Sequence, residues 1–251
     1  MQIGVGVAIV VGLIAARGSR SSSEPAADAG SRAVSLKREH LEAVHRVEAL
    51  YAGISQHGEI LGNQGAPVTL TFFGDPECPE ARQFVLGALP LIVSRWVRSG
   101  KLLILYRSYP EETIWHGIFV RQAAAVLAAG VQDRLWQYLD LFYHHQRREY
   151  SLYATTGFLE ARVREVRGLD LGRWQSERRS ARVGRELLAD KEARWEHGLR
   201  PGKTGHWLTS RETPAFFIGP TGGQAKPLLH FSLTESGAFD EAVKGVLGGH
   251  A

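Results

Sequence analysis

The chain has 251 residues, 44% of them hydrophobic and 22% charged, which is enough apolar material for a buried core and too much for disorder along most of its length. Lysine and arginine number 30 against 26 acids, a net charge of +4. The pairs Arg147-Arg148 and Arg178-Arg179 are broken by acids and lack stacking aromatics, so they read as solvated helix faces and nucleic acid is excluded as a partner. A single cysteine excludes an internal disulfide framework, a CxxC redox pair and any zinc site built on several thiolates.

In chain order, the apolar run from Ile3 to Ala16 has the length of a signal-peptide core and is short for a membrane span. No Lys or Arg precedes it, and Arg17 and Arg20 follow. Residues 1–17 are expected to be a signal or an N-terminal membrane anchor, which would attach the protein to the membrane with its folded part extracytoplasmic. Residues 18–32, rich in Ser, Gly, Ala and Pro, are expected to be a flexible linker. Val34, Leu41, Val44, Val47 and Leu50 then recur near a period of 3.6, which predicts an amphipathic helix over 33–53, ended by Gly53.

The runs 'EILG', 'APVTLTFF' and 'KLLILYRSYP' are strand-like, and a helical stretch from Pro79 to about Ser99 separates the last two. Strand, helix, strand in this spacing predicts a parallel pair with a right-handed crossover. From Ile114 to about Trp195 the spacing is helical, broken at Gly130, Ser151 and Gly168, so 113–200 reads as a helical insertion. 'TPAFFIG' and 'KPLLHF' around 'PTGGQA' predict a β-hairpin, and 'SGAFDEAVKGVL' a closing helix. The fold class is therefore α/β: a thioredoxin-like core, β-α-β in 59–112 and β-β-α in 201–251, with the helical domain inserted between its halves.

The chemistry concentrates in 'TFFGDPECPEARQF'. Cys78 falls at a helix start, where free backbone N–H groups and the positive end of the dipole favour a thiolate, and Pro79 suits a first helical position because it has no N–H to lose. Asp75, Glu77 and Glu80 oppose that effect with three nearby carboxylates. The plainer reading of Cys78 is a small hydrophobe capping a helix. A single-thiol peroxidase would have Thr where Asp75 stands. His144 and His145, neighbours on a helix, diverge by about 100° and no further ligand is placed by spacing, so neither metal nor cofactor is expected. The six tryptophans read as packing residues, and 'GPTGG' lacks the strand-to-helix setting of a phosphate loop.

'ILGNQGAPVTLTFFGDPECPEARQF' resembles the opening of exported DsbA-type thioredoxin-fold proteins, in which such a strand precedes a C-P-x-C pair. 'ETPAFFIGPTGG' is similar to that family's second signature, and the resemblance extends over roughly Glu59 to Leu247. It implies that Cys78 is the catalytic nucleophile and that Pro79, Glu80 and Ala81 complete the active-site motif, with Ala81 where the second cysteine would stand. It further implies that Thr213 and Pro214, joined by a cis peptide, bind the substrate. The implied partner is a cysteine-containing or extended polypeptide. Without a resolving thiol at Ala81, the exchange needs an external thiol or a dithiol partner protein. The alternative is a catalytically inactive module that binds peptide or protein in the same groove.

Overall fold

The computed structural model describes residues 24–109, 116–149, 151–198 and 213–249. The apolar run 3–16 and the arginines behind it lie outside them. The chain divides into two compact units, 1–40 and 41–251. The described part of the first is the beginning of α1 (Glu24–Tyr51), so residues 24–32, expected to be linker, are helical. Pro25 suits a first turn, and Ala26, Ala27 and Ala29 are the strongest helix formers. Val34 and Leu36 are exposed in this unit. The apolar stripe expected along the whole helix is buried only in the second unit, where Ala43, Val47 and Tyr51 enter the core and Leu41 remains exposed. Among the described residues no helix is long and apolar enough to cross a membrane.

The second unit is built on a sheet of order β1-β2-β4-β3-β5-β6. Its strands are β1 (Gln56–His57), β2 (Ile60–Leu61), β3 (Val68–Gly74), β4 (Leu102–Ser108), β5 (Ala215–Pro220) and β6 (Lys226–Pro227). β3 and β4 are parallel, with Thr71 opposite Leu105 and Gly74 opposite Ser108. β5 runs antiparallel to β3, with Phe216 opposite Phe72 and Ala215 opposite Phe73. β3 is central, so both its faces are covered: Val68, Leu70 and Phe72 enter the main core, while Phe73 meets Tyr109 and Phe217 on the other side.

The crossover expected from Pro79 to about Ser99 forms as three helical pieces: α2 (Pro79–Leu86), α3 (Ala88–Ile92) and a π-helical turn at Val93–Val97. The break falls at Gly87. A Cβ there would lie 2.7 Å from the Gln83 carbonyl oxygen and 2.8 Å from that of Leu233, which accepts the Ala88 N–H. The close approach of the C-terminal loop thus requires a residue without a side chain.

Between β4 and β5 stand α4 (His116–Gly130), α5 (Leu135–His144), α6 (Thr156–Glu165), α7 (Leu171–Glu177) and α8 (Ala181–Glu196). α8 is tied to the sheet by a buried ionic cluster. Arg107 donates to Glu59 at 3.0 Å and to Asp190 at 3.1 Å, and the Ser108 N–H donates to Asp190 at 2.9 Å. Burial pushes the carboxyls of Glu59 and Asp190 upward, and Arg107 opposes this. The closing helix α9 (Gly237–Leu247) lays Phe239 and Val243 on the core. The architecture is a thioredoxin-like α/β core with an inserted helical domain, as the order of elements predicts.

Candidate active site

At the C-terminal end of β3 the chain turns through Asp75, Pro76 and Glu77 into α2. Asp75 shapes that turn: its Oδ1 accepts the Glu77 N–H at 2.9 Å and its carbonyl accepts the Cys78 N–H at 3.0 Å. The insertion holds the turn from outside. Tyr143 donates its hydroxyl to the Asp75 carbonyl at 2.8 Å, and Gln146 Nε2 donates to the carbonyls of Pro76 and Cys78 at 2.9 and 3.1 Å. Burial raises the Tyr143 hydroxyl well above its ordinary pKa, so it remains a donor. Gln122 of α4 donates to Glu77 at 2.9 Å, giving that buried carboxylate a partner inside the protein.

Cys78 is the N-cap of α2, with extended backbone (φ −68°, ψ 123°) and Pro79 in the first turn. Its Sγ accepts the Ala81 N–H at 3.4 Å, the role a serine or aspartate oxygen usually fills. The same sulfur lies 3.0 Å from the Thr213 carbonyl oxygen and 3.3 Å from Glu80 Oε2. The Thr213-Pro214 peptide is cis, as the resemblance implies. Two segments 135 residues apart in sequence therefore meet at one sulfur.

Cys78 is 0% exposed, because the Thr213 backbone and the Glu80 side chain close around it. Glu80 itself is exposed, so its carboxylate covers the sulfur from the solvent side. A thiol can donate to either oxygen while accepting from Ala81. A thiolate would keep the Ala81 bond and face two acceptors, so the arrangement as it stands suits the thiol. Ala81 is fully buried on the next turn of α2.

Sequence reasoning did not single out Gln122, Tyr143 or Gln146. A signal existed for Gln122, a lone amide on the inward face of the apolar run that follows it. Gln146 lies past the end of α5, where no periodicity orients it. His144 and His145 sit at that helix end, as expected. His144 Nε2 is 3.5 Å from Asp140 Oδ1. Burial pushes the Asp140 carboxyl up to about 7 and, with Arg46, the His144 imidazole down to about 4, so below neutral pH this is a contact between uncharged groups over most of the range.

The arginine pairs depart from the expected solvated helix faces. α5 ends at His144, so Arg147 and Arg148 belong to the connection to α6, and Arg178 stacks over Trp174 at 4.6 Å. Trp136 and Trp174 are fully buried packing residues and Trp96 nearly so, while Trp115 and Trp207 lie outside the described residues.

Residues 55–179 match the family profile described as Thioredoxin. Over 112 residues the chain is 28% identical to the probable disulfide bond formation protein D of Bacillus cereus, covering 42% of this chain and 48% of that protein. Over 133 residues it is 23% identical to the Bacillus anthracis protein of the same description, covering 53% and 61%. The matches thus span about half the length of these curated relatives.

Among solved structures the chain is similar to oxidised BdbD from Bacillus subtilis, with a TM-score of 0.60 and 16% identity over 78% of this chain and 97% of that one. It is also similar to alpha-DsbA1 from Wolbachia pipientis, with a TM-score of 0.58 and 15% identity over 79% and 93%. At such identities the structural likeness speaks to the fold. Taken with the profile match and the meeting of both signatures at Cys78, it leads to one assignment: residues 55–179 form a domain of the thioredoxin family, in a chain that resembles DsbA-type proteins.

Proposed function

We propose that the protein is an extracytoplasmic thiol-disulfide exchange protein that works through the single sulfur of Cys78. Pro79, Glu80 and Ala81 form the active-site motif, and Thr213 and Pro214 bind the substrate. The observation that carries this reading is the 3.0 Å contact between Cys78 Sγ and the Thr213 carbonyl at the N-terminus of α2. An extended polypeptide laid against Thr213 by main-chain hydrogen bonds would bring its own sulfur to Cys78. The apolar run at residues 3–16 supports export or attachment to a membrane.

In the exchange, Glu80 moves off the sulfur and the Cys78 thiol gives up its proton. Sγ attacks one sulfur of a substrate disulfide. A new S–S bond joins Cys78 to the substrate, and the other substrate sulfur leaves as a thiolate that takes up a proton. Ala81 offers no second sulfur, so a low-molecular-weight thiol or a thiol of a partner protein attacks the substrate sulfur of the mixed disulfide, forms a new disulfide with it and releases Cys78 as a thiolate that takes up a proton. Cys78 undergoes no net oxidation, and the outcome is rearrangement or transfer of disulfides.

Incubation of the full chain with a disulfide-containing peptide, read by intact mass, tests this. The expected product is an adduct on the wild type that is absent from Cys78→Ala. No adduct at any pH up to about 9, where an ordinary thiol is largely ionised, would overturn the reading.

The enclosed sulfur and Ala81 favour a second reading, in which the same groove binds an extended polypeptide and the thiol is incidental. Under it, peptide binding is unchanged in Cys78→Ala and no adduct accumulates.

A further inference from the structure

Beside the start of α2 the protein has an open cleft of about 730 Å³. Pro79 and Arg82 line it from α2, and Gln146, Arg147, Arg148 and Glu149 from the α5–α6 connection. Its charge is lopsided, with three guanidiniums against one carboxylate. Arg147 and Arg148 are exposed, and Arg82 is half-buried and anchored by its Nε donating to the Tyr143 carbonyl at 2.9 Å. The wall is fixed to the site itself, because Gln146 donates to the carbonyl oxygens of Pro76 and Cys78. An acidic side chain, Glu80, covers the sulfur, whereas basic ones outnumber the single acid in the cleft next to it.

We propose that this cleft receives an acidic segment of the polypeptide whose cysteine meets Cys78, which makes acidic residues near the reacting cysteine a determinant of substrate choice. The proposal rests on the Cys78 reading for the identity of that substrate. Pro79 and Arg82 are three residues apart and share a helix face, so along α2 the cleft runs from about 1.5 to about 6 Å past the cap. An extended chain advances about 3.3 Å per residue, so a chain laid along α2 passes Arg82 about two positions from its reacting cysteine. Immediately beside the cysteine an acid would meet Glu80 and be repelled. Guanidiniums hold carboxylates through paired N–H donors, so arginine suits this task.

Fluorescence anisotropy on the full chain tests the cleft without any exchange chemistry. The probes are a labelled cysteine-free peptide rich in Asp and Glu and a Lys-rich counterpart of equal length. The acidic peptide should bind about fivefold or more tightly than the basic one at low salt, as two or three exposed ion pairs provide. The preference should shrink as salt rises, and it should vanish in Arg147→Glu/Arg148→Glu, whose exposed positions leave the fold intact by circular dichroism. Equal binding of the two peptides, or a preference that survives in the double variant, would overturn the proposal.

The mixed-disulfide experiment with a neutral disulfide peptide separates the two ideas. An adduct at Cys78 without charge preference removes the acidic segment and leaves the exchange reading standing. Arginine-dependent binding of the acidic peptide without any adduct keeps the cleft and removes exchange.

Discussion

Phe216 and Thr213 stand three residues apart at the head of β5, and both are buried, yet they belong to regions held together in different ways. Phe216 lies among Phe72, Phe84, Phe231 and Phe239, with ring centroids 4.5 to 5.4 Å away. Thr213 touches the Cys78 sulfur through its carbonyl, and that sulfur in turn meets the carboxylate of Glu80 beside the turn pinned by Tyr143 and Gln146. In the aromatic region any side chain of suitable shape contributes through contact and exclusion of water. In the polar region the Thr213 hydroxyl has no partner among the described residues, but the other groups are held by named hydrogen bonds, and deleting one leaves another unpaired. The first region tolerates exchange of one apolar side chain for another if volume is kept, and the second does not.

The largest expected effect is in the aromatic region. Phe216→Ala should lower unfolding free energy by about 3–5 kcal/mol, measured by urea denaturation, because its neighbours are themselves packed and cannot fill the space. A loss below about 1 kcal/mol would mean that the ring cluster collapses freely and that the contrast with the polar region is false. Next comes Gln122→Leu, which nearly keeps volume and strips the Glu77 carboxylate of its amide donor. The expected loss is about 1–3 kcal/mol in the same assay, and a neutral result would show that Glu77 is satisfied elsewhere.

A third experiment asks whether polar burial away from the sulfur obeys the same logic. The Asp140 carboxyl is raised from 3.8 to about 7 by burial, so the folded state keeps a proton that the unfolded state releases. Its contribution is complete below about pH 4 and is lost as pH rises toward 7. His144 is lowered from 6.5 to about 4, so the unfolded state holds its proton, and this contribution to stability grows as pH rises from 4 to 6.5. The two slopes oppose each other in the wild type. In Asp140→Asn the histidine slope stands alone, and the melting temperature should climb more steeply between pH 4 and 6.5 than in the wild type. Parallel profiles would break the assignment.

The smallest stability effect belongs to Cys78→Ala. It removes one capping bond and one small buried group, and it should shift unfolding free energy by no more than about 1 kcal/mol while abolishing the mixed disulfide. A loss of several kcal/mol would show that the sulfur serves mainly as a structural element.

Much of this was legible in the sequence because the responsible patterns are local. Runs of β-branched and apolar residues mark β3 and β4, Pro79 marks the start of α2, and the two flanking motifs point to the meeting of Cys78 with Thr213 and Pro214. Other features depend on contacts between distant residues. The two-residue strand β1 has no periodicity to read, and its partner is the equally short β2. The break at Gly87 follows from a loop that arrives about 146 residues later and presses on the helix. Arg147 and Arg148 have the composition of a helix face, and only the end of α5 at His144 turns them into the wall of a cleft. The closeness of Glu80 to the sulfur depends on a side-chain orientation that sequence spacing does not determine.

That orientation carries a consequence for the life of the protein before any substrate arrives. The charged group of Glu80 acts as a latch: a diffusing oxidant meets an anion before it meets sulfur, whereas a docked chain can displace the anion with its own backbone. Under the proposed exchange, reactivity would then belong to the complex more than to the free molecule, and the one thiol would stay unspent until a chain docks.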